Sequence, residues 1–423
     1  MKKLLLIALV TSTLVFTSCF KDDDAPLIIE TSTTIINDNP GGGDECPVIA
    51  VTGEIVDGTV WTNDNIYQLN QKVVVPAGAT LTINPGTIIK GSSGTGSLAS
   101  ALIVARGGTL NANGTADEPI IFTSTQDNIT CGQTTGTNLD ENDRGLWGGL
   151  IVLGNAPCSF SGDIAEAQIE GIPADDTFGL YGGTVANDSS GSLRYISIRH
   201  GGALIGEGNE INGLTLGGVG SGTIIDNIEV VANVDDGVEF FGGTCNASNL
   251  LVWAQGDDAI DIDQAYSGTI DNVVVVLGDI SDHAFEIDGP EGTGSGMFTL
   301  QNATIIGNSV TANGEYADYR SNAQGHTENV YAFGFKAESD VELDNDGVAT
   351  NYNNGDLTFG PWEIVLPTGV TDVTSIFVNK AETVTVTGFG STATAVTEGA
   401  QTVGATTSNL SWTYSNTEGG LGF

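Results

Sequence analysis

Apolar residues recur through the middle of the chain in one short frame: apolar, any residue, Asn, apolar, any residue, apolar. It reads Ile225-Asp226-Asn227-Ile228-Glu229-Val230, then Ala247-Ser248-Asn249-Leu250-Leu251-Val252, then Ile270-Asp271-Asn272-Val273-Val274-Val275, then Leu300-Gln301-Asn302-Ala303-Thr304-Ile305. Thr327-Glu328-Asn329-Val330-Tyr331-Ala332 is a weaker copy, and Leu193-Arg194-Tyr195-Ile196-Ser197-Ile198 carries Tyr in the Asn slot. The asparagines are spaced 22, 23, 30 and 27 residues apart. Such a period, with two or three short strands per repeat, marks a solenoid whose coils bury their apolar faces only by stacking. Equivalent residues then lie about 4.8 Å apart on successive coils, close enough for an Asn column to donate in one direction and accept in the other. A leucine-rich repeat would need regular leucines and a constant period. The fold expected is therefore all-β, a right-handed parallel β-helix with coils of variable length, spanning residues 46–423 with caps at both ends.

Earlier coils fit the same picture. Ala79-Thr80-Leu81-Thr82-Ile83 resembles Gly108-Thr109-Leu110-Asn111-Ala112, and Pro85-Gly86-Thr87-Ile88-Ile89 and Pro119-Ile120-Ile121-Phe122 supply further strands. The first residues follow another pattern. Met1-Lys2-Lys3 is basic, Leu4 to Phe16 is apolar with small Ser and Thr, and Thr17-Ser18-Cys19 follows. This predicts a signal peptide over 1–18, too short for a membrane span.

Composition narrows the classes of function. Glycine is high at 59 residues, charged residues make up 15 %, and 53 Asp+Glu face 12 Lys+Arg for a formal charge of −41. That field repels nucleic acid and anionic lipid and favours divalent cations, which excludes a nucleic-acid partner. Beyond the N-terminus no stretch approaches the roughly 18 apolar residues of a membrane helix. Glycine- and Asp/Asn-rich turns come too often for the roughly ten-residue spans of a membrane barrel.

Phe16-Thr17-Ser18-Cys19 resembles a bacterial lipobox, with Phe16 where Leu is usual, and this implies lipidation of Cys19. The following Phe20-Lys21-Asp22-Asp23-Asp24 looks like the acidic export signal of Bacteroidota surface lipoproteins; a solvated acidic linker on a periplasm-facing lipoprotein is the alternative. Residues 19–45 then read as the lipidated Cys and a flexible acidic tether. Cys46, Cys131, Cys158 and Cys245 remain, an even number in an oxidising compartment, and no C-x-x-C spacing suggests zinc. The expected disulfide is Cys131–Cys158, closing the polar insertion Gly132 to Arg144. This reading assigns no partner to Cys46 or Cys245 and leaves their pairing open.

Several segments together resemble a family of Bacteroidota surface β-helix lipoproteins: Asn84-Pro85-Gly86-Thr87-Ile88-Ile89-Lys90-Gly91, Trp147-Gly148-Gly149-Leu150-Ile151-Val152-Leu153-Gly154 and Arg194 to Gly202. Asn209 to Leu216 and Asp235-Asp236-Gly237-Val238-Glu239-Phe240-Phe241-Gly242-Gly243 belong to the same likeness, which covers roughly residues 46–423. It implies fold and an outer-membrane, cell-surface address, and carries no chemistry to any residue.

Three successive coils carry acidic clusters: Asn233 to Phe240, Gly256 to Asp263 and Ser281 to Asp288. Strand alternation turns Val238, Ile260 and Phe285 inward with Phe240, Ile262 and Ile287. Glu239, Asp261 and Glu286 then point outward in one column, with Asp263 and Asp288 in a second. These five residues are read either as a solvated acidic face kept for solubility or as ligands of calcium, the cofactor expected here because it takes six to eight oxygens in flexible geometry. The same coils resemble β-helical polygalacturonase-type glycosidases, which implies Asp236, Asp257, Asp258 and His283 as acid/base carboxylates and their histidine. His283 lacks flanking glycines, however, and no R-x-K motif follows. The competing reading makes these Asp residues turn caps. Weaker motifs are Glu342-Leu343-Asp344-Asn345-Asp346-Gly347, which echoes the start of an EF-hand loop, and the strand-end pair Arg199-His200. Trp61, Trp147, Trp253, Trp362 and Trp412 are either sugar platforms or core and cap residues.

Two functions follow. The first is a non-catalytic surface module, anchored by its lipid, that binds extracellular polysaccharide or an outer-membrane protein. The second is a glycoside hydrolase or calcium-dependent lyase, for which Arg199 and Arg320 are the candidate bases.

Overall fold

The computed structural model describes residues 34–36, 46–172, 176–204, 210–310 and 314–423. The signal peptide, Cys19 and most of the tether expected over 19–45 lie outside the described residues. Of the 28 strands described, 26 join in one sheet, almost entirely through parallel pairing. This is the right-handed parallel β-helix that the repeat predicts.

Each coil has three faces. In one coil, 224–226 forms the first face, 228–231 the second and Val238–Phe241 the third. The next coil repeats this with 246–248, 250–253 and Ile260–Asp263, paired in parallel to the same three partners. The Asn slot is the corner between first and second faces. Asn227, Asn249, Asn272, Asn302 and Asn329 sit there with φ of 59°, 56°, 62°, 58° and 58°, and Tyr195 at 49°. A left-handed backbone costs an ordinary L-residue roughly 1–2 kcal/mol, and Asn tolerates it best after Gly. Backbone conformation therefore sets the repeat at least as much as amide pairing does. The expected continuous amide ladder is interrupted. Asn272 donates to Asn249 at 2.7 Å and Asn329 to Asn302 at 3.2 Å, but Asn249 and Asn302 turn to the carboxylates of Asp226 and Asp271, both at 2.7 Å. A carboxylate in the preceding coil accepts more strongly than a neutral amide.

Inward residues of all three faces form one continuous core from Val51 to Phe377, with Trp61, Trp147 and Trp362 inside it. Each fully buried Leu, Ile or Phe contributes roughly 1.5–3 kcal/mol, and stacking makes that possible at every coil. The outer side of the second face is covered too, by two segments. Residues 125–146 fold back over the early coils, where Lys90 Nζ donates to the Asp127 and Ile129 carbonyls, both at 2.7 Å. The C-terminal segment crosses the later coils. Thr402 bonds Glu363, the amides of Ala405 and Thr406 bond Thr304 and Asn272, and Leu410 packs on Leu251 and Val274. It ends on buried Glu229, which accepts from Ser197 Oγ (2.5 Å), Ser415 N (2.7 Å), Ser415 Oγ (2.6 Å) and Tyr414 N (3.1 Å).

The disulfide is Cys46–Cys131, with Cα atoms 5.6 Å apart, and not the expected Cys131–Cys158. The strand Leu150–Leu153 lies between the two expected partners and belongs to the third face. Cys131 rides the insertion across the second face, beside Ile66, Ile88, Ile121 and Cys46. Cys158 follows that strand into a third-face turn, where its Sγ meets the Phe241 carbonyl, and both it and Cys245 are free. Within the stretch read as tether, Thr34–Ile36 pairs antiparallel with 48–50. The first coil offers an open strand edge, and an extended segment satisfies it. No helix among the described residues is long and apolar enough to cross a membrane.

Candidate functional site

Third-face strands alternate, so that an outward residue stands between two inward apolar ones. Parallel register then aligns Glu239 with Asp261, Asp261 with Glu286, Glu286 with Asp318 and Asp318 with Glu342. The first three form the column expected from sequence. Asp263 and Asp288 stand together beside it, close enough for the charge of Asp288 to raise the Asp263 carboxyl. Asp318 and Glu342 extend the column by two coils. Their signal was present in Ala317-Asp318-Tyr319 and Val341-Glu342-Leu343, which repeat the apolar-acid-apolar form of Ile260-Asp261-Ile262.

The column points away from the core, as expected, but it is not a solvated face. Glu239, Asp261, Glu286, Asp318 and Glu342 are only 4 %, 7 %, 8 %, 6 % and 5 % exposed. The first three floor a cleft of about 340 Å³ lined by eleven carboxylates and one guanidinium, that of Arg320, while Asp318 and Glu342 continue the column beyond it. Asp235, Asp236, Asp257 and Asp258 come from the turns that enter the strands, while Glu170 and Glu210 come from loops of earlier coils. No periodic signal marks those two loop residues, so sequence reasoning missed them.

The polygalacturonase-like set is brought together, but its members hold the scaffold. Asn212 Oδ1 accepts the Asp236 amide at 3.3 Å, Asp236 Oδ1 the Asp258 amide at 2.9 Å, and Asp258 Oδ1 the His283 amide at 2.8 Å. Each side chain thus caps the turn of the next coil. Asp258 Oδ1 also meets His283 Nδ1 at 2.8 Å. Burial alone pulls His283 down, but the hydrogen bond and charge of Asp258 outweigh it and push it up to about 9. The imidazole is therefore a charged partner at neutral pH and a poor base. Asp257 is exposed at the cleft rim.

Crowding governs the other acids. Burial, then neighbouring carboxylates, raises Asp235 to about 7 and Asp263 to about 8. Burial also lifts Glu286 to about 8, against the pull of Arg320. Asp236, Glu239 and Asp261 are raised well above the carboxylate range for the same two reasons. Farther along, Asp318 rises to about 6 and Glu315 to about 7, again chiefly through burial.

Internal cations neutralise parts of this field. Arg320 bonds Glu286 and, at 3.1 Å, Asp288, and Lys380 bonds Glu342 and sits 3.8 Å from Asp340. Arg199 is elsewhere, buried under the second-face cover: its Nε donates to Ser197 Oγ at 2.7 Å and its guanidinium lies 4.3 Å from the Tyr414 ring centre. His200 Nδ1 meets the Asp143 carbonyl at 2.8 Å. The EF-hand echo dissolves as well. Asn345 caps the helix Asp346–Asn354, and the Asp346 carboxylate accepts the Thr383 amide at 2.8 Å. Trp253, at the end of a second-face strand, packs under Tyr414, and Trp412 of the C-terminal cover packs against Tyr195, so both serve the contact between cover and coils.

Among solved structures, two of a pectin methylesterase from Aspergillus niger align with the chain. One, carrying an N-acetylglucosamine stub, is 12 % identical with a TM-score of 0.33, covering 90 % of this chain and 97 % of the other. The deglycosylated form is 14 % identical with a TM-score of 0.32, covering 75 % and 89 %. Likeness at this level transfers no chemistry. No curated protein matches the sequence. A family model described as a pectate-lyase like beta helix domain matches residues 53–417, nearly all of the coils described above, and the chain belongs to that family.

Proposed function

We propose that this protein is a non-catalytic binding module, lipid-anchored at the bacterial surface, whose third-face cleft takes an extracellular glycan. The observation that carries the reading is that the residues standing where an enzyme would need its acid, its base and its histidine are committed to the scaffold. Asp236 and Asp258 cap backbone amides, His283 is paired with Asp258, and Arg320 is held by Glu286 and Asp288. A glycosidase needs an acid and a base free to exchange protons with substrate. A lyase needs an unprotonated base, and the two carboxylates beside Arg320 raise its affinity for the proton. Arg199 lies buried on another face. A cleft that runs along successive coils suits a linear polymer, and the family name connects this fold with polysaccharide. The surface address rests on Cys19 and Asp22-Asp23-Asp24, in the manner of Bacteroidota surface lipoproteins.

A glycan array probed with the full chain, alongside assays for reducing ends and for unsaturated products on the bound polysaccharides, tests the reading. Binding without product release is the expected result. Turnover of any bound polysaccharide would make the protein an enzyme instead, and absence of binding across glycans would favour an outer-membrane protein as partner. The address has its own test. Cys19→Ala should abolish palmitate labelling, and replacing Asp22, Asp23 and Asp24 with Ala should protect the protein from protease added to intact cells. Equal digestion of the triple variant and wild type would refute surface export by this signal.

A further inference from the structure

The acidic column is not uniform, and its charge compensation points to one place. Five triads of described residues bring ligand atoms within 4.8 Å of one another. In Asp258–His283–Glu286, the imidazole is paired with Asp258 and Glu286 already carries Arg320. Glu315–Asp340–Glu342 and Asp318–Glu342–Asp344 share Glu342, whose carboxylate is bonded by Lys380. Asp235–Asp236–Asp257 opens to solvent at Asp257. The fifth, Asp236–Glu239–Asp261, is buried at all three residues, and among the described residues no Lys, Arg or His forms a salt bridge with any of them.

A second observation falls on the same spot; the other buried carboxylate oxygens without a hydrogen bond among the described residues, on Asp318, Asp340 and Glu342, belong to the two triads that Lys380 serves. Asp261 is 93 % buried, and its Oδ1 has no hydrogen-bond partner among the described residues. An unsatisfied buried carboxylate oxygen is costly, more so beside two further carboxylates. Its neighbours in the triad each spend bonds elsewhere: Asp236 Oδ1 on the Asp258 amide, and Glu239 Oε2 on the Asn212 amide. The unspent acceptor therefore faces a pocket of like charge.

We propose that Asp236, Glu239 and Asp261 hold a divalent cation of the calcium class, seated beneath the cleft floor and tying two successive coils together. Oxygen-only donors select a hard cation over zinc or copper. Calcium suits the set best, because it accepts carboxylates in irregular geometry and completes its shell with water or with nearby Asp263. The site differs from the five residues expected from sequence. It gains Asp236 and excludes Glu286 and Asp288, whose charge Arg320 already answers. It does not depend on glycan binding.

The test uses the full chain stripped with chelator and titrated with calcium, magnesium or manganese chloride in 0.15 M salt, by calorimetry and thermal melting. One saturable calcium site with a melting temperature higher by several degrees is expected, following ligand linkage. Asp261→Asn should weaken calcium roughly tenfold or more, yet melt above wild type in chelator because it removes a buried acid that has no cation beside it and an oxygen without a hydrogen bond. Glu239→Gln serves as the second variant, and Glu342→Gln should bind as wild type does. The proposal is overturned if no divalent ion binds saturably, if binding is weak and equal in wild type and Asp261→Asn, or if only Glu342→Gln loses it.

Discussion

At the scale of the residue, the corner asparagines show how little of a repeat needs to be conserved in identity when a backbone angle is what recurs. Tyr195 fills the slot at φ 49°, so the position demands a left-handed turn first and an amide second. Asn249 meets both demands, since its side chain also bonds Asp226, Asn272 and Asn409. Asn249→Gly should therefore cost less than Asn249→Ala, because Gly keeps the turn while Ala adds roughly 1 kcal/mol or more of backbone strain to the same lost bonds. Thermal melting of the two variants decides the order, and equal melting temperatures would show that the bonds alone matter. Glu229 is the other instructive residue. It is wholly buried in the second face, and four hydrogen bonds make it the clasp of the C-terminal cover. Glu229→Ala removes these bonds and the carboxylate whose charge acts most strongly on buried Arg199, a loss of about 3–5 kcal/mol by analogy with broken buried pairs. Limited proteolysis should then cut first between residues 400 and 423, whereas an unchanged cleavage pattern would mean that Leu410 and Trp412 hold the segment without it.

At the scale of the element, the two covers of the second face explain features that no single strand accounts for. The insertion 125–146 and the C-terminal segment share the outer side of that face, and they meet where the Tyr414 hydroxyl reaches the Leu139 carbonyl. The Cys46–Cys131 bridge ties the first of these covers to the start of the β-helix across 85 residues. In the loop-entropy account such a closure stabilises by about 4.6 kcal/mol. Cys131→Ser should lower the melting temperature in oxidising buffer and leave it unchanged in reducing buffer. Peptide mapping under non-reducing conditions should find Cys158 and Cys245 as thiols, and a Cys131–Cys158 peptide would reverse the assignment.

At the scale of the molecule, an excess of 41 negative charges is concentrated, in part, along the third face, whose acids hold protons more tightly than in the unfolded chain. The sign of the consequence follows from linkage. An acid whose folded pKa is raised favours the folded state below its unfolded value near 4, and that advantage is lost as pH climbs through the folded value. With Asp318 at about 6, Glu315 at about 7 and Asp263 and Glu286 at about 8, stability in chelator should fall as pH rises from 5 to 9. A melting temperature that rises over this range would contradict the burial of these groups. Much of this architecture was legible beforehand, for a physical reason: a solenoid repeats one local solution, so the Asn corner, the inward Val238, Ile260 and Phe285, and the stacked Glu239, Asp261 and Glu286 all follow from period and alternation. Coil lengths vary, and what their insertions do is not local. That Cys131 crosses one face while Cys158 turns on another, that Glu170 and Glu210 wall the cleft, and that Arg320 and Lys380 neutralise some acids and leave Asp261 bare are matters of long-range packing. Sequence by itself determined the coil and which side of each strand is acidic. Only the tertiary structure decided how deeply those acids are buried and which of them lack a partner, because burial and pairing depend on segments far away along the chain.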